Sequence, residues 1–184
     1  MPLTMSRQRL FIACDLPADI KTRLASLQKF LQQSGSDTKW VEPHHIHVTL
    51  KFLGDTPSQK TRDIVKLIDK IFKDQKSFVV KLDRLGAFGS RHAPRIIWAG
   101  LEDDQALKKM AASLETNLSS LGFIKEDKPF RAHVTLGRVR SGRNRVALAD
   151  LLTHAQESFK EEIWRIDNVT LFESQLSADG AAYH

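Results

Sequence analysis

The chain has 184 residues, 41% hydrophobic and 27% charged, which predicts a globular protein of one domain, or of two lobes sharing one core, that needs no disulfides. Cys14 is the sole cysteine, and no apolar run approaches the ~20 residues of a membrane span. A disulfide scaffold and a membrane protein are therefore excluded, and we expect a cytoplasmic protein in which Cys14 is a small buried hydrophobe.

Lysine and arginine total 28 against 22 acidic residues, a formal net charge of +6. This balance favours a polyanionic partner such as RNA, although charge alone fits solubility equally well.

The first half of the chain predicts strands and helices in alternation. Helical spacing is clearest at Ile20, Leu24, Leu27 and Leu31, and strand alternation at residues 48–52. The predicted elements are a strand at 8–14, a helix at 18–33, a strand around 48–52, a helix opened by Thr56-Pro57, and strands at 77–85 and 95–100 joined by a loop from Gly86 to Pro94.

The second half repeats this rhythm. It predicts an amphipathic helix at 103–120, a strand at 132–139, a short helix at 146–154, and a long strand or strand pair at 160–175. No linker separates the halves. The order of elements predicts an α+β fold in which residues 1–184 form one domain with two similar lobes.

A four-residue motif occurs once in each half. His47-Val48-Thr49-Leu50 returns as His133-Val134-Thr135-Leu136, both within predicted strands. One His-x-Thr triplet in a strand is an ordinary occurrence, but identical intervening Val and Leu residues make a duplicated lobe the better explanation of the pair. Residues i and i+2 of a strand point to the same face. Each motif therefore presents an imidazole beside a hydroxyl and turns its Val and Leu into the core.

Two such strands across a cleft predict acid–base chemistry on a phosphodiester. Histidine changes its protonation state near neutral pH, so one ring can accept a proton while the other donates one. Threonine hydroxyls can donate hydrogen bonds to the non-bridging oxygens of a phosphate. The two motifs thus indicate phosphodiester cleavage that requires no metal, with His47 and His133 as candidate catalytic residues.

Over nearly its whole length the chain resembles the two-histidine (2H) phosphoesterases, and among them the RNA 2′,3′-cyclic phosphodiesterases, also called 2′-5′ RNA ligases. The segments that carry the resemblance are Arg9–Ala13 with Asp15-Leu16-Pro17, the run from His47 to Gly54, Ile97–Gly100, the run from Pro129 to Arg138, and Leu171–Ser174. The resemblance implies a bilobal fold in which two antiparallel sheets line a central groove, with helices packed outside.

The resemblance also implies a reaction and roles for residues. RNA ending in a 2′,3′-cyclic phosphate, tRNA fragments among such RNAs, would be hydrolysed to a 2′-phosphomonoester, and the reverse reaction would be 2′-5′ ligation. His133 would be the general base and His47 the general acid. Thr49, Thr135 and Arg138 would bind the phosphate. We expect no cofactor and a monomer.

Several alternatives stay open at this point. Phe11 is a candidate for stacking on the terminal base, although a core phenylalanine fits its strand equally well. His44 and His45 beside His47 suggest a metal site, but no carboxylate or cysteine lies at ligand spacing, which argues against it. The substrate can also be a small cyclic nucleotide, such as an ADP-ribose cyclic phosphate. A module that binds RNA ends without turnover is the non-enzymatic alternative.

Overall fold

The computed structural model describes residues 6–90, 92–102, 105–176 and 181–183, of which 175, 176 and 181–183 are described by their backbone alone. It contains both strands and helices. In chain order they are β1 (Arg7–Asp15), α1 (Ala18–Gln32), β2 (Thr38–Trp40), β3 (His47–Pro57), α2 (Thr61–Phe72), β4 (Phe78–Ser90), β5 (Ala93–Glu102), α3 (Gln105–Leu118), β6 (His133–Val139), α4 (Arg145–Ser158), β7 (Glu162–Ile166), β8 (Thr170–Leu176) and β9 (Ala181–Tyr183). The predicted α+β class is confirmed.

All strand pairs are antiparallel, and the strands follow the order β7-β4-β5-β6-β3-β1-β8-β9, with β2 on the outer part of β6. The two halves of this path meet at β3 and β6, which share a single paired position, Val48 opposite Val134. Two separate sheets were predicted. The pairing of β3 with β6 instead connects the strands of both halves in one continuous order. A groove between them, and the division of the single domain into two lobes, stay predictions.

The helices cover one face of the sheet and enclose the core there. Alternate strand residues enter this core, among them Val48 and Val134, which are fully buried. Cys14 is also fully buried, as predicted, and burial raises the pKa of its thiol to about 12. No helix in the described part of the chain has both the length and the apolarity needed to cross a membrane.

The central strands are irregular at matching positions. In β3, Thr49 pairs with Ala13 and Lys51 with Ile12, which leaves Leu50 as an extra residue. A bulge of this kind places two successive side chains on one face of the sheet. In β6 the extra residue is Leu136. Each motif is therefore followed by the same change of direction in its strand.

Several boundaries differ from the prediction. The predicted loop from Gly86 to Pro94 is wrong, because β4 extends to Ser90 and β5 begins at Ala93; their pairing supplies the hydrogen bonds that a glycine-rich segment does not specify locally. Pro57 ends β3 rather than opening a helix, and a single 3-10 turn precedes α2. The region 160–175 contains two strands, as one of the two predicted alternatives had it, but β7 pairs with β4 and β8 with β1. The first two residues of the helix predicted at 103–120 lie outside the described residues.

Candidate active site

The pair Val48–Val134 brings the two motifs together. Both valines point into the core, and neighbouring residues of a strand point to the opposite face. Because β3 and β6 are antiparallel, the histidine of each motif lies beside the threonine of the other. The four side chains gathered on this face are His47, Thr49, His133 and Thr135.

The two imidazoles are held by identical hydrogen bonds. Nδ1 of His47 lies 2.7 Å from the carbonyl oxygen of His45, and Nδ1 of His133 lies 2.7 Å from the carbonyl oxygen of Arg131. A carbonyl oxygen only accepts, so Nδ1 carries the hydrogen in both rings. With the hydrogen on Nδ1, Nε2 is the nitrogen that accepts a proton when the ring is neutral and donates one when the ring is charged.

His47 is packed tightly in the first half of the sheet. Its ring stacks on Phe11 with ring centroids 4.7 Å apart and an interplanar angle of 28°. Burial lowers the pKa of His47 to about 4, although the hydrogen bond to His45 and the charge of Asp15, which lies opposite it on β1, act in the other direction. Asp15 also forms an ion pair with Lys21, at 2.6 Å. His47 is therefore neutral at pH 7 before a substrate binds.

His133 is packed in the second half of the sheet and is less buried than His47. Burial again lowers its pKa, the hydrogen bond to Arg131 raises it, and the positive charge of Arg138 lowers it. Its ring meets Phe88 edge to face, with centroids 5.1 Å apart. Arg138 thus acts on His133 through its charge; its role in binding phosphate stays a prediction.

Arg138 also has a second cation beside it. It is exposed on β6 and paired with Lys39 of β2, so both side chains lie on the same face. Neither takes part in an ion pair within the described portion of the chain. Two uncompensated cations beside the histidine pair make this end of the site attractive to anions.

Phe11 is not available as an open platform. Only 3% of the residue is exposed, and its ring contacts both His47 and Phe172, the latter stacked on it at 5.2 Å; the rings of His47 and Phe172 are themselves 6.1 Å apart. This burial favours the alternative of a core phenylalanine that supports the His47 ring.

No metal site is evident from the arrangement of side chains. His44 and His45 lie close together, with ring centroids 3.9 Å apart. Within the described ranges, however, no three side chains of His, Cys, Asp or Glu are grouped so that they could hold an ion. The absence of a catalytic metal stays a prediction.

Three neighbours of the histidines were not singled out from the sequence. Phe88 falls in the segment predicted as a loop, so its place on a strand was not visible. Phe172 belongs to a segment noted only for its resemblance. Arg84 lies over Gly100, the residue opposite His133 on β5: a Cβ on Gly100 would lie 2.8 Å from the Nε atom of Arg84.

Comparison with known proteins accounts for the repeat. The family described as LigT like Phosphoesterase matches residues 15–98 and again residues 100–183. The chain belongs to the LigT-like phosphoesterase family. Each match contains one His-Val-Thr-Leu motif, so the resemblance expected from the motifs is confirmed.

Curated relatives of this LigT-like phosphoesterase cover nearly its full length. The RNA 2′,3′-cyclic phosphodiesterase of Archaeoglobus fulgidus is 33% identical over 177 residues, 95% of this chain and 96% of the relative. That of Methanothermobacter thermautotrophicus is 29% identical over 175 residues, 95% of this chain and 94% of the relative. Among solved structures, a protein of Thermus thermophilus has a TM-score of 0.80 at 26% identity, covering 96% of this chain and 93% of that one. Escherichia coli LigT in complex with 3′-AMP shares the fold, with a TM-score of 0.76 at 23% identity, over 97% of this chain and 95% of that one.

Proposed function

We propose that this LigT-like phosphoesterase hydrolyses 2′,3′-cyclic phosphates at RNA ends to 2′-phosphomonoesters, using His47 and His133 without a metal. The observation that carries the proposal is the twin arrangement of these rings about the Val48–Val134 pair, each with its Nδ1 hydrogen-bonded to a backbone carbonyl oxygen. The relatives named RNA 2′,3′-cyclic phosphodiesterase support the same reaction.

The proposed reaction requires one proton acceptor and one proton donor. Nε2 of neutral His133 accepts a proton from water while the water oxygen attacks phosphorus. The bond from phosphorus to the 3′ oxygen breaks, and Nε2–H of protonated His47 gives its proton to that oxygen. A 3′ hydroxyl and a 2′-phosphomonoester result. When the 5′ hydroxyl of a second RNA attacks in place of water, His133 accepts its proton, the bond to the 3′ oxygen breaks in the same way, and a 2′-5′ linkage forms.

His47 must gain a proton before it can act as the acid. Its low pKa in the free protein keeps the ring neutral at pH 7. A bound phosphate diester brings a negative charge into this partly buried site, and an adjacent opposite charge raises the pKa of an imidazole. Binding of the substrate therefore favours protonation of the ring that donates to the leaving oxygen.

The remaining residues bind the phosphate in this proposal. Thr49 and Thr135 lie on the same face as the histidines and donate hydroxyl hydrogen bonds to the non-bridging oxygens. Arg138 stabilises the charge that develops during attack. Because Lys39 continues the cationic surface away from the histidines, the site suits a substrate with further phosphates, which favours RNA over a small cyclic nucleotide.

The proposal is tested with purified protein in EDTA and a short RNA ending in a 2′,3′-cyclic phosphate, with His133→Ala in parallel. Phosphorus NMR identifies the product. A 2′-phosphate formed by the wild type and not by the variant supports the reaction, its regiochemistry and its independence of metal. Turnover confined to mononucleotides indicates a small cyclic substrate, and binding of RNA without turnover indicates an end-binding module.

A further inference from the structure

Arg84 lies on the same face of the sheet as His133, two strands away from it. His133 is opposite Gly100 of β5, and Gly100 is opposite Arg84 of β4. Residues paired across antiparallel strands point to the same face. A Cβ on Gly100 would lie 2.8 Å from Nε and 3.0 Å from Cγ of Arg84. The arginine side chain therefore leans over β5 towards His133, into the space that a side chain at position 100 would occupy.

The surface between His133 and Arg84 is flat. Gly100 contributes no side chain to it, and the ring of Trp98, two residues earlier on β5, lies against glycines. A Cβ on Gly86 would overlap this ring, and one on Gly100 would lie 2.8 Å from its Cζ3 atom. A floor of glycine and indole leaves room above it for the ribose that links one phosphate of a nucleotide to the next.

The guanidinium of Arg84 is held in place and keeps most of its hydrogen-bonding capacity. Nη2 donates to the carbonyl oxygen of Leu101 at 3.0 Å. Among the described residues its ion pair is with Asp83, 3.9 Å from Nη1, which is beyond hydrogen-bond distance. Lys81, by contrast, forms ion pairs with two glutamates. With 53% of its side chain exposed, Arg84 presents a fork of donors that suits the oxygens of a phosphate.

Arg84 and Lys39 lie on opposite sides of the strand that carries His133. Gly137 of β6 is paired with Trp40 of β2 on one edge and with Ile97 of β5 on the other. Lys39 belongs to β2, and Arg84 extends the sheet beyond β5. A nucleotide whose first phosphate lies between the histidines can therefore bring its second phosphate to one of these two cations and not to both.

We propose that Arg84 binds the 5′ phosphate of the nucleotide whose cyclic phosphate lies between the histidines. The ribose then spans the flat floor over Gly100, and the RNA chain leaves the site across β4. Because a nucleoside 2′,3′-cyclic phosphate has no 5′ phosphate, this contact favours RNA ends over free nucleosides of that kind. The inference rests on the proposed function for the position of the cyclic phosphate.

The proposal is tested by binding, which does not depend on turnover. Calorimetry compares cytidine 2′-monophosphate with cytidine 2′,5′-bisphosphate, which adds the 5′ phosphate. We expect the wild type to bind the bisphosphate roughly 10-fold or more tightly, the scale of one charge-assisted contact. Arg84→Gln should reduce this preference to about threefold or less without changing the affinity for the monophosphate. Its kcat/KM should fall in the same proportion for 5′-phosphorylated cytidine 2′,3′-cyclic phosphate and stay unchanged for cytidine 2′,3′-cyclic phosphate.

Two variants serve as controls, and both should keep the preference. Arg62→Gln removes an equal charge from the exposed side of α2, and Lys39→Ala removes the cation on the opposite side of β6. The Arg84 contact is refuted if the wild type shows no preference, if Arg84→Gln keeps it, or if either control loses as much. Hydrolysis by the wild type with an unchanged preference in Arg84→Gln would reject this contact alone. Loss of the preference in Arg84→Gln, with no hydrolysis by the wild type, would reject the proposed function and leave the contact standing.

Discussion

Val48 and Val134, the second residues of two identical motifs, are partners across β3 and β6. Neither valine is accessible to solvent, and their burial turns the adjacent histidines and threonines to the other face. The pair therefore works as a pseudo-twofold centre: each half of the chain supplies one imidazole and one hydroxyl to the same site. In the proposed mechanism these two imidazoles, identical in chemical type, differ as acid and base only through their surroundings.

Removal of either imidazole should abolish most of the activity. His47→Ala and His133→Ala are each expected to lower kcat/KM by roughly 100-fold or more, the usual scale for a general acid or base. Initial rates on a cyclic phosphate-ended RNA measure this. His154→Ala, which removes a histidine from the outer helix α4, should leave the rate unchanged. A loss below tenfold in either motif variant would contradict its assigned role.

The dependence of kcat/KM on pH should be bell-shaped with its maximum on the acidic side of 6.5. Burial lowers the pKa of both histidines in the free protein, that of His47 to about 4. The productive form has one ring protonated and one neutral, and its fraction is largest between the two pKa values. Steady-state rates between pH 3.5 and 9 measure the curve. A single-limbed profile would mean that only one histidine titrates in catalysis.

Acid should destabilise the protein through His47. The pKa of this ring is about 4 when folded and about 6.5 when unfolded, so the unfolded state binds more protons between these values. Stability is then fully present above pH 6.5 and falls as the pH is lowered towards 4. Urea unfolding at a series of pH values measures the free energy of unfolding. Between pH 6.5 and 4 this free energy should fall less steeply for His47→Gln than for the wild type. Parallel declines in the two proteins would disprove the linkage.

Lys39 should matter for RNA and not for a mononucleotide. It is exposed beside Arg138. Each phosphate contact contributes about 1 to the slope of the logarithm of affinity against the logarithm of salt concentration. Lys39→Ala is expected to raise KM for a cyclic phosphate-ended oligonucleotide and to reduce the slope of log KM against log salt by about 1. Cytidine 2′,3′-cyclic phosphate should be hydrolysed as by the wild type. Lys29→Ala, an equal loss of charge on α1, is the control, and an identical effect there would show a response to net charge only.

Glu115 should contribute more to stability than its partner Lys51. Nζ of Lys51 lies 2.8 Å from the Glu115 carboxylate and 2.9 Å from the carbonyl oxygen of Ile124, with side-chain exposures of 3% for the lysine and 22% for the glutamate. Glu115→Ala leaves the buried ammonium with the Ile124 carbonyl and the exposed Glu126 carboxylate, 3.9 Å away, and is expected to cost about 3 kcal/mol. Lys51→Met leaves a carboxylate that water can reach and should cost less. Urea unfolding measures the loss in free energy of unfolding for each variant. A larger loss for Lys51→Met than for Glu115→Ala would show that the carboxylate is the less compensated charge.

Local patterns in the chain were sufficient for the main elements. The spacing of Ile20, Leu24 and Leu31 predicted α1, and these residues are buried on it. The alternation around Val48 predicted β3. Hairpin pairing could not be predicted in the same way: β4 and β5 continue through Gly86 and Gly89 because each strand supplies the other with hydrogen bonds. The three-residue strand β2 was missed because its partner, β6, lies about a hundred residues away.

By itself the sequence determined the two motifs, the type of groups they present, and the side of each strand on which those groups lie, because alternation is a local property of the backbone. Tertiary structure alone decided that β3 and β6 meet at one valine pair, that both Nδ1 atoms are bound to carbonyl oxygens, and that Phe11 is covered while Arg84 lies over Gly100. These facts depend on which strands become neighbours, on their register, and on where a bulge reverses a side chain. They are properties of contacts between segments far apart in the chain.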